Sequence, residues 1–177
     1  MTLRLVSLFV MMTALTGACA PSFEAELNDV EVTQRGVRIP AVPATTTGGD
    51  VAVAGGFTLS STEIAWAKRV NSDVRVHQVK IAVGAGVPNL DFIACARITA
   101  AVEGHPETAT EIMIYERDDS ASVGSVIQVE MPSPVDITTL WTASQTVIGL
   151  NIAGHMPAQD WSVDVTLNLS GKINYTY

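Results

Sequence analysis

His77, His105 and His155 are the side chains best suited to hold a metal or move a proton near neutral pH, and their spacing gives them no shared task. None stands in a ligand pattern such as His-Glu-x-x-His. His105 and His155 each adjoin a glycine and lie within two residues of a proline, which marks turns. Gly84-Ala85-Gly86-Val87-Pro88-Asn89 has the outline of a phosphate loop. Its third glycine is missing, however, and Pro88 removes an amide that such a cradle needs. No Gly-x-Ser-x-Gly elbow occurs. Glu116-Arg117-Asp118-Asp119-Ser120-Ala121-Ser122 gathers carboxylates and hydroxyls of the kind that meet Ca²⁺. Arg117 intrudes there and the EF-hand order is absent, so the stretch reads as a solvated hairpin loop. The sequence supports no catalytic residue, no cofactor motif and no metal site, and the expectation is a protein that is not an enzyme.

Binding is the remaining chemistry, and the three tryptophans bear on it because an exposed indole can stack on a sugar ring. Trp161 alternates in phase with Val163 and Leu167, which makes it core, and Trp66 stands beside a helical turn and reads the same way. Trp141 falls in a connection, where it is either a lid on the core or a possible ligand platform.

The N terminus gives the compartment. Met1-Thr2-Leu3-Arg4 supplies one positive charge, Leu5 to Leu15 is an uncharged apolar run, and Thr16-Gly17-Ala18 is a small-residue exit. That is the pattern of a secretory signal over residues 1–18. A membrane span needs about 20 apolar residues, more than this run holds. Leu15-Thr16-Gly17-Ala18-Cys19 resembles the lipobox of bacterial lipoproteins, with Thr16 where that motif prefers leucine. The resemblance covers residues 1–19 only. It implies cleavage before Cys19, diacylglycerol on the Cys19 sulfur, and a chain held to a membrane of the cell envelope. Ala20 after that cysteine resembles the signal for transfer to the outer membrane where the host has two. A cut after Ala20 is the alternative, but it sets Pro21 next to the bond.

The chain has 18 acidic and 10 basic residues for a net charge of −8, and losing Arg4 with the signal takes it to −9. Such a balance argues against a nucleic-acid partner, whose phosphates demand a basic face. It also argues against electrostatic docking on anionic lipid, and fits a soluble surface. Whether a protein or a glycan is the partner stays open. Cys95, the second of two cysteines, would be an unpaired thiol in an oxidising compartment, and its apolar setting Phe92-Ile93-Ala94-Cys95-Ala96 suggests a small core residue.

Residues 19–28 read as a lipid-anchored tether and 29–177 as one domain. Val30-Glu31-Val32-Thr33 and Val37-Arg38-Ile39 suggest a small hairpin or bent edge strand. Beyond residue 50 the period is two. Phe92, Ala94, Ala96, Ile98, Ala100 and Val102 share a face; Ile112 with Ile114, and Val123, Ile127, Val129 and Met131, mark two more strands; Ile148, Leu150 and Ile152 mark another. Trp161, Val163, Val165, Leu167 and Leu169 alternate with Ser162, Asp164, Thr166, Asn168 and Ser170 without exception, and the phase continues to Tyr177. An unbroken strand of that length would span roughly 56 Å, so a bend or tight turn at Ser170-Gly171 is expected. In Val74 to Val83 the apolar residues switch from even to odd numbers, which requires a β-bulge near His77-Gln78.

Ser60-Ser61-Thr62-Glu63 fits a capping box for a turn or two over 61–70, and Asp136 fits a cap after Pro132-Ser133-Pro134. The fold class is therefore all-β: a single antiparallel β-sandwich, Ig-like or jelly-roll-like, with one or two short helical turns, and a closed barrel as the alternative. Val135 to Leu140 followed by Thr146 to Ile152 resembles the helix-then-strand connection of jelly-roll accessory domains in sugar-acting proteins, an analogy of geometry. The combined expectation is an exported, lipid-anchored envelope lipoprotein that binds or scaffolds without catalysis, with a carbohydrate- or lipid-binding sandwich with a defined pocket as the alternative and a secreted hydrolase third. Mass spectrometry of the chain from its host should find it starting at Cys19 with added acyl mass; a lipid-free chain starting at Pro21 would overturn this.

Overall fold

The structure, a computed structural model, describes residues 2–4, 8–10, 22–42, 51–60, 70–118, 122–143 and 145–176. In chain order the elements are β1 (Thr2–Arg4), β2 (Leu8–Val10), β3 (Ser22–Ile39), β4 (Val51–Ser60), β5 (Val70–Ala85), β6 (Ile93–Val102), β7 (His105–Glu116) and β8 (Val126–Asp136). The short helix α1 (Thr138–Thr142), β9 (Gln145–Gly154) and β10 (Trp161–Thr176) complete the chain. All strand pairs are antiparallel. Sheet A runs β1-β3-β10-β5-β8 with β2 also on β3, and sheet B runs β4-β9-β6-β7. Their facing apolar sides form one core, so the fold is an antiparallel β-sandwich.

β10 sets the register of sheet A. Trp161, Val163, Val165, Leu167 and Leu169 are 0–3% exposed, while Ser162, Asp164, Thr166, Asn168 and Ser170 stand half-buried on the other face. Of the bend or tight turn expected at Ser170-Gly171, the tight turn does not form, because β10 continues to Thr176. What happens there is a register shift: Leu169 pairs with Val30 and Gly171 with Leu27, so β3 carries one residue more than β10. A bulge sharpens the local twist, which lets a long strand coil instead of turning back. Gly171 is needed for a separate reason, since a Cβ at that point would strike the Asp73 carbonyl oxygen.

β5 shows the phase slip that the sequence requires. Leu169 of β10 pairs with Val76 and Asn168 with Gln78, leaving His77 as the extra residue. Val74 and Val76 on one side of it, and Val79 and Ile81 on the other, are all 0% exposed. Leaving two valines in water would forfeit roughly 1.5–3 kcal/mol of burial each, more than the disturbed ladder loses. On the far side of β5, Val76 pairs with Val135 and Gln78 with Glu130, so residues 131–134 of β8 oppose His77 alone. Pro132 and Pro134 fall inside that excursion on an edge strand, where a missing amide is tolerated. The strand therefore resumes beyond them.

Other expectations are corrected. Residues 22–28, expected in the tether, form the first part of β3, which runs on to Ile39 as one strand with a register shift at Arg35-Gly36, the bent strand and not the hairpin of the two expected forms. Ile112 and Ile114 do not share a face: a register shift in β7 buries Ile112 at 3% and leaves Ile114 45% exposed. Cys95 is half-buried, opposite in facing to buried Ala96, and so is not a core residue. β1 and β2 lie within the stretch read as the removable signal and pair along the outer edge of β3. Residues 1, 5–7 and 11–19, the capping box at 61–63 and Trp66 lie outside the described residues. Among the described residues no helix is long and apolar enough to cross a membrane.

Leu167→Ala should destabilise the fold by about 2–5 kcal/mol in chemical denaturation, and Thr166→Ala on the opposite face should lie near zero. Deleting His77 should be worse than either, because it turns one valine set outward. A deletion variant as stable as wild type would refute the bulge as the device that buries both sets.

Candidate functional site

Three irregularities meet on the outward face of sheet A, within two residues of Leu169 along the neighbouring strands. His77 bulges from β5, residues 131–134 bulge from β8, and the extra residue of β3 falls at Asn28-Asp29. Asp29 has φ of 53°, the one non-glycine positive φ among the described residues. Aligned bulges re-aim side chains, and a strained non-glycine residue persists only where its surroundings over-determine it.

Here the surroundings are polar. Asp29 Oδ1 lies 3.3 Å from His77 Nε2, so the pair reaches across β10 and joins β3 to β5. Asn168 Nδ2 donates to Gln78 Oε1, and Gln78 Nε2 donates to Glu130 Oε1 at 3.2 Å. The Thr33 and Thr166 hydroxyls meet at 2.9 Å. Two atoms in this group are covered and unmet, His77 Nδ1 and Asn168 Oδ1. An orphaned buried acceptor costs about 1–3 kcal/mol, so the cluster is not the most stable way to build this face. His77 has one ring nitrogen on the exposed Asp29 carboxylate and the other under protein atoms.

A second organised region lies at the loop end. Asp91 Oδ1 accepts from the Val123 amide at 2.7 Å, the Gly124 amide at 3.0 Å and the Ser122 hydroxyl at 3.1 Å. The Arg117 guanidinium donates to the Asp91 carbonyl oxygen, and Leu90 N donates to Gly124 O at 2.7 Å. One carboxylate thus clamps the β5–β6 connection to the β7–β8 connection. The Gly124 and Val123 amides hold the Asp91 carboxyl below the ordinary carboxylate value, with Ser122 and Arg117 adding to them against partial desolvation. The Asp136 carboxyl is lowered too, by the amide and hydroxyl of Thr138 at the start of α1. Ile137 is the formal cap of that helix, yet Asp136 accepts from the Thr138 amide at 2.9 Å, the contact its position in sequence suggested.

The residues singled out in the sequence are dispersed. His105 pairs with Glu107 at 2.8 Å at the start of β7, His155 is exposed after β9, and His77 lies on sheet A. Among the described residues no group of three or more His, Cys, Asp or Glu is placed to hold a metal. Trp141 packs against the core from α1 with its indole nitrogen covered and unmet. Trp161 meets Phe92 edge-on at 4.9 Å inside the sandwich. Ser122 of the acidic loop belongs to the Asp91 clamp, and Cys19 lies outside the described residues. Sequence reading missed Asp29, Asn168 and Asp91. The phase slip pointed to His77-Gln78 but not to their partners on other strands, and Asn89-Leu90-Asp91 carried only a turn signal.

No family model matches the chain, and no curated protein matches it. Among solved structures it resembles the family 32 carbohydrate-binding module of Clostridium perfringens NanJ in complex with galactose, at 11% identity, over 89% of this chain and 80% of that one, with a TM-score of 0.31. It also resembles a CBM32 module of Clostridium perfringens in complex with GalNAc-β-1,3-galactose, at 11% identity over 76% of this chain and 94% of that one, TM-score 0.33. The BFDV capsid protein, a decamer, aligns at 13% identity over 81% of this chain and 99% of that one, TM-score 0.36. These are likenesses of fold alone.

The Asp91 clamp has a pH signature. A carboxyl lowered on folding adds stability above the ordinary carboxylate range and loses it as pH falls through its folded value. Asp91→Ala should therefore melt below wild type at pH 7, with the gap closing as pH drops below about 4. A gap that stays constant from pH 7 to pH 2 would show that the ionised clamp is not its source.

Proposed function

We propose that this chain is an exported, lipid-anchored module of the cell envelope that binds without catalysis through the outward face of sheet A. One observation carries the reading: bulges in three strands, the positive-φ Asp29 and two orphaned polar atoms converge on a single outward patch. Functional sites are where such outliers gather, since a sheet optimised for stability alone would not keep them. Amides, hydroxyls and carboxylates there suit recognition. The lipobox-like Leu15 to Cys19 supports the anchor, on the outer membrane where the host has two, and the acidic balance supports a partner other than nucleic acid.

The test joins location to chemistry. The chain should fractionate with membranes and need detergent for release, as two or more acyl chains anchor stably. Cys19→Ala should release or stall it, and the purified protein should turn over no ester, glycoside, peptide or phosphate substrate. Turnover lost in His77→Ala would overturn the non-catalytic reading, and a freely soluble wild-type chain would overturn the anchor.

A further inference from the structure

We propose that the processed chain pairs with a second copy of itself along the outer edge of β3, an inference that rests on residues 1–18 being removed. That edge takes strands. β1 lies on it from Thr33 to Glu31 and β2 from Leu27 to Ala25, both antiparallel, as two pieces on either side of the bulge at Asn28-Asp29. Both pieces belong to the segment that processing takes away on that reading. Its loss bares the outward backbone N–H and C=O groups of a strand running from Ser22 to Ile39, a template for another strand.

Edges are commonly guarded by bulges and charges, and β3 has both. Their placement decides which strand can still pair. β3 carries one extra residue against β10 at Asn28-Asp29 and another at Arg35-Gly36. Each bulge holds one residue of positive φ, Asp29 at 53° and Gly36 at 65°. Asn28 and Gly36 stand equally far from Val32 along the chain, and so do Asp29 and Arg35. An antiparallel copy related by a twofold axis at Val32 therefore sets each bulge opposite the other bulge of its mate. The axis also keeps the facing. It pairs Val30 with Gln34, which lie beside Leu169 and Val165 on the core side, and Glu31 with Thr33, beside Asn168 and Thr166 on the outward side. A strand without two mirrored bulges would fall out of phase at the first one it met. The edge thus excludes ordinary strands and fits its own copy.

Charge points the same way. Before Val32 the strand carries Glu24, Glu26, Asp29 and Glu31 and no base; after it come Arg35 and Arg38 and no acid. The twofold copy puts Glu26 opposite Arg38 and Asp29 opposite Arg35, each twice. Glu26 and Asp29 meet Lys172 and His77 of their own chain through one carboxylate oxygen each, at 3.5 and 3.3 Å. Arg35 and Arg38 are exposed, and neither has an ion pair among the described residues. Exposed pairs of this kind add little affinity, but they fix register and reject wrong partners. The joined edges continue β8-β5-β10-β3 of one copy into the same strands of the other, as a single sheet.

The test takes the processed chain from its host in density-matched detergent and reads its mass by sedimentation. It should be a dimer in the micromolar range. Arg38→Glu and Glu26→Arg should each weaken the dimer by about tenfold, and the double variant carrying both should restore it. Positions 26 and 38 lie roughly 40 Å apart along one strand, so only a second copy can account for the restoration. Arg97→Glu on sheet B should leave the dimer unchanged, with melting temperatures confirming intact folds in every variant. A dimer indifferent to Arg38→Glu, or one not restored in the double variant, would overturn the inference. Intact mass of the same sample reads the removal independently. A processed chain that stays monomeric sinks the edge pairing alone, and a chain that retains residues 1–18 sinks the removal on which the pairing rests.

Discussion

Side chains on a β-strand must alternate faces one residue at a time, and β5 breaks that rule at His77, an inserted residue on which the burial of both valine sets depends, and again at Gly84. Without His77 as the extra residue, either Val74 and Val76 or Val79 and Ile81 would leave the core. β5 lies between β10 and β8, so its neighbours must take up the insertion. β10 keeps perfect alternation and acts as a ruler between two bulged strands. β3 gains its own extra residue near Asp29, and β8 departs for residues 131–134. Bulges on both sides of one straight strand deepen the twist, which is how strands of 16–18 residues fit on a small sandwich. The same adjustment turns His77, Asp29 and Asn168 toward one another on the outside.

The two ends of the sandwich are fastened in another way. α1 closes one end, with Leu140 buried and the Thr146 hydroxyl bonded to the Leu140 carbonyl at 2.7 Å. At the other end Asp91 does the work of several contacts with one carboxylate, since three donors converge on a single oxygen. A charged acceptor bonded to backbone amides is stronger than a neutral one, so the carboxylate reinforces a loop pair that Leu90, Val87, Phe92 and Val123 also pack onto the core. The rigidity of that end rests on ionisation as well as packing, and the rigidity of the sheet rests on packing.

What was legible in the sequence follows from which interactions are local. The facing of β10 could be read residue by residue, because alternation depends only on neighbours in the chain. The bulge at His77 could be read too, since a slip in period is a local event with a global consequence. The length of β3 was legible and overlooked: Phe23, Ala25 and Leu27 alternate with Ser22, Glu24, Glu26 and Asn28 as strictly as the residues of β10 do, while the strand they pair with lies at the opposite end of the sequence. Ile112 and Ile114 misled for another reason. Their spacing promised one face, and an insertion with no signature in residue type separated them. The candidate site was half visible, because Gln78 sits beside the slip while Asn168 and Asp29 reach it only through sheet order. Cys95 failed as a core residue because an apolar run does not say which of its members face inward.

Anchor and face also fit together on the proposed reading. On that reading the processed chain, with a net charge of −9, is repelled by an anionic leaflet, and the proposed lipid on Cys19 is what holds it near. Repulsion and tether together leave the broad faces of the sandwich open to the surrounding envelope. Of those faces, the outside of sheet B presents short residues along β4, Ala52, Ala54, Gly56 and Thr58, and longer ones across its other strands, with Arg97 and Glu111 paired at 3.9 Å and Ile114 exposed. Sheet A presents amides and carboxylates already joined to one another. It also keeps Asn168 Oδ1 unmet, where a valine and its apolar neighbour would leave no orphan and give a firmer sheet. The core beneath is packed at 0–3% exposure along β10, and the Trp161 indole nitrogen within it is unmet as well. On the proposed reading, a strand that is tight on one face and forgoes stability on the other does its binding on the second face.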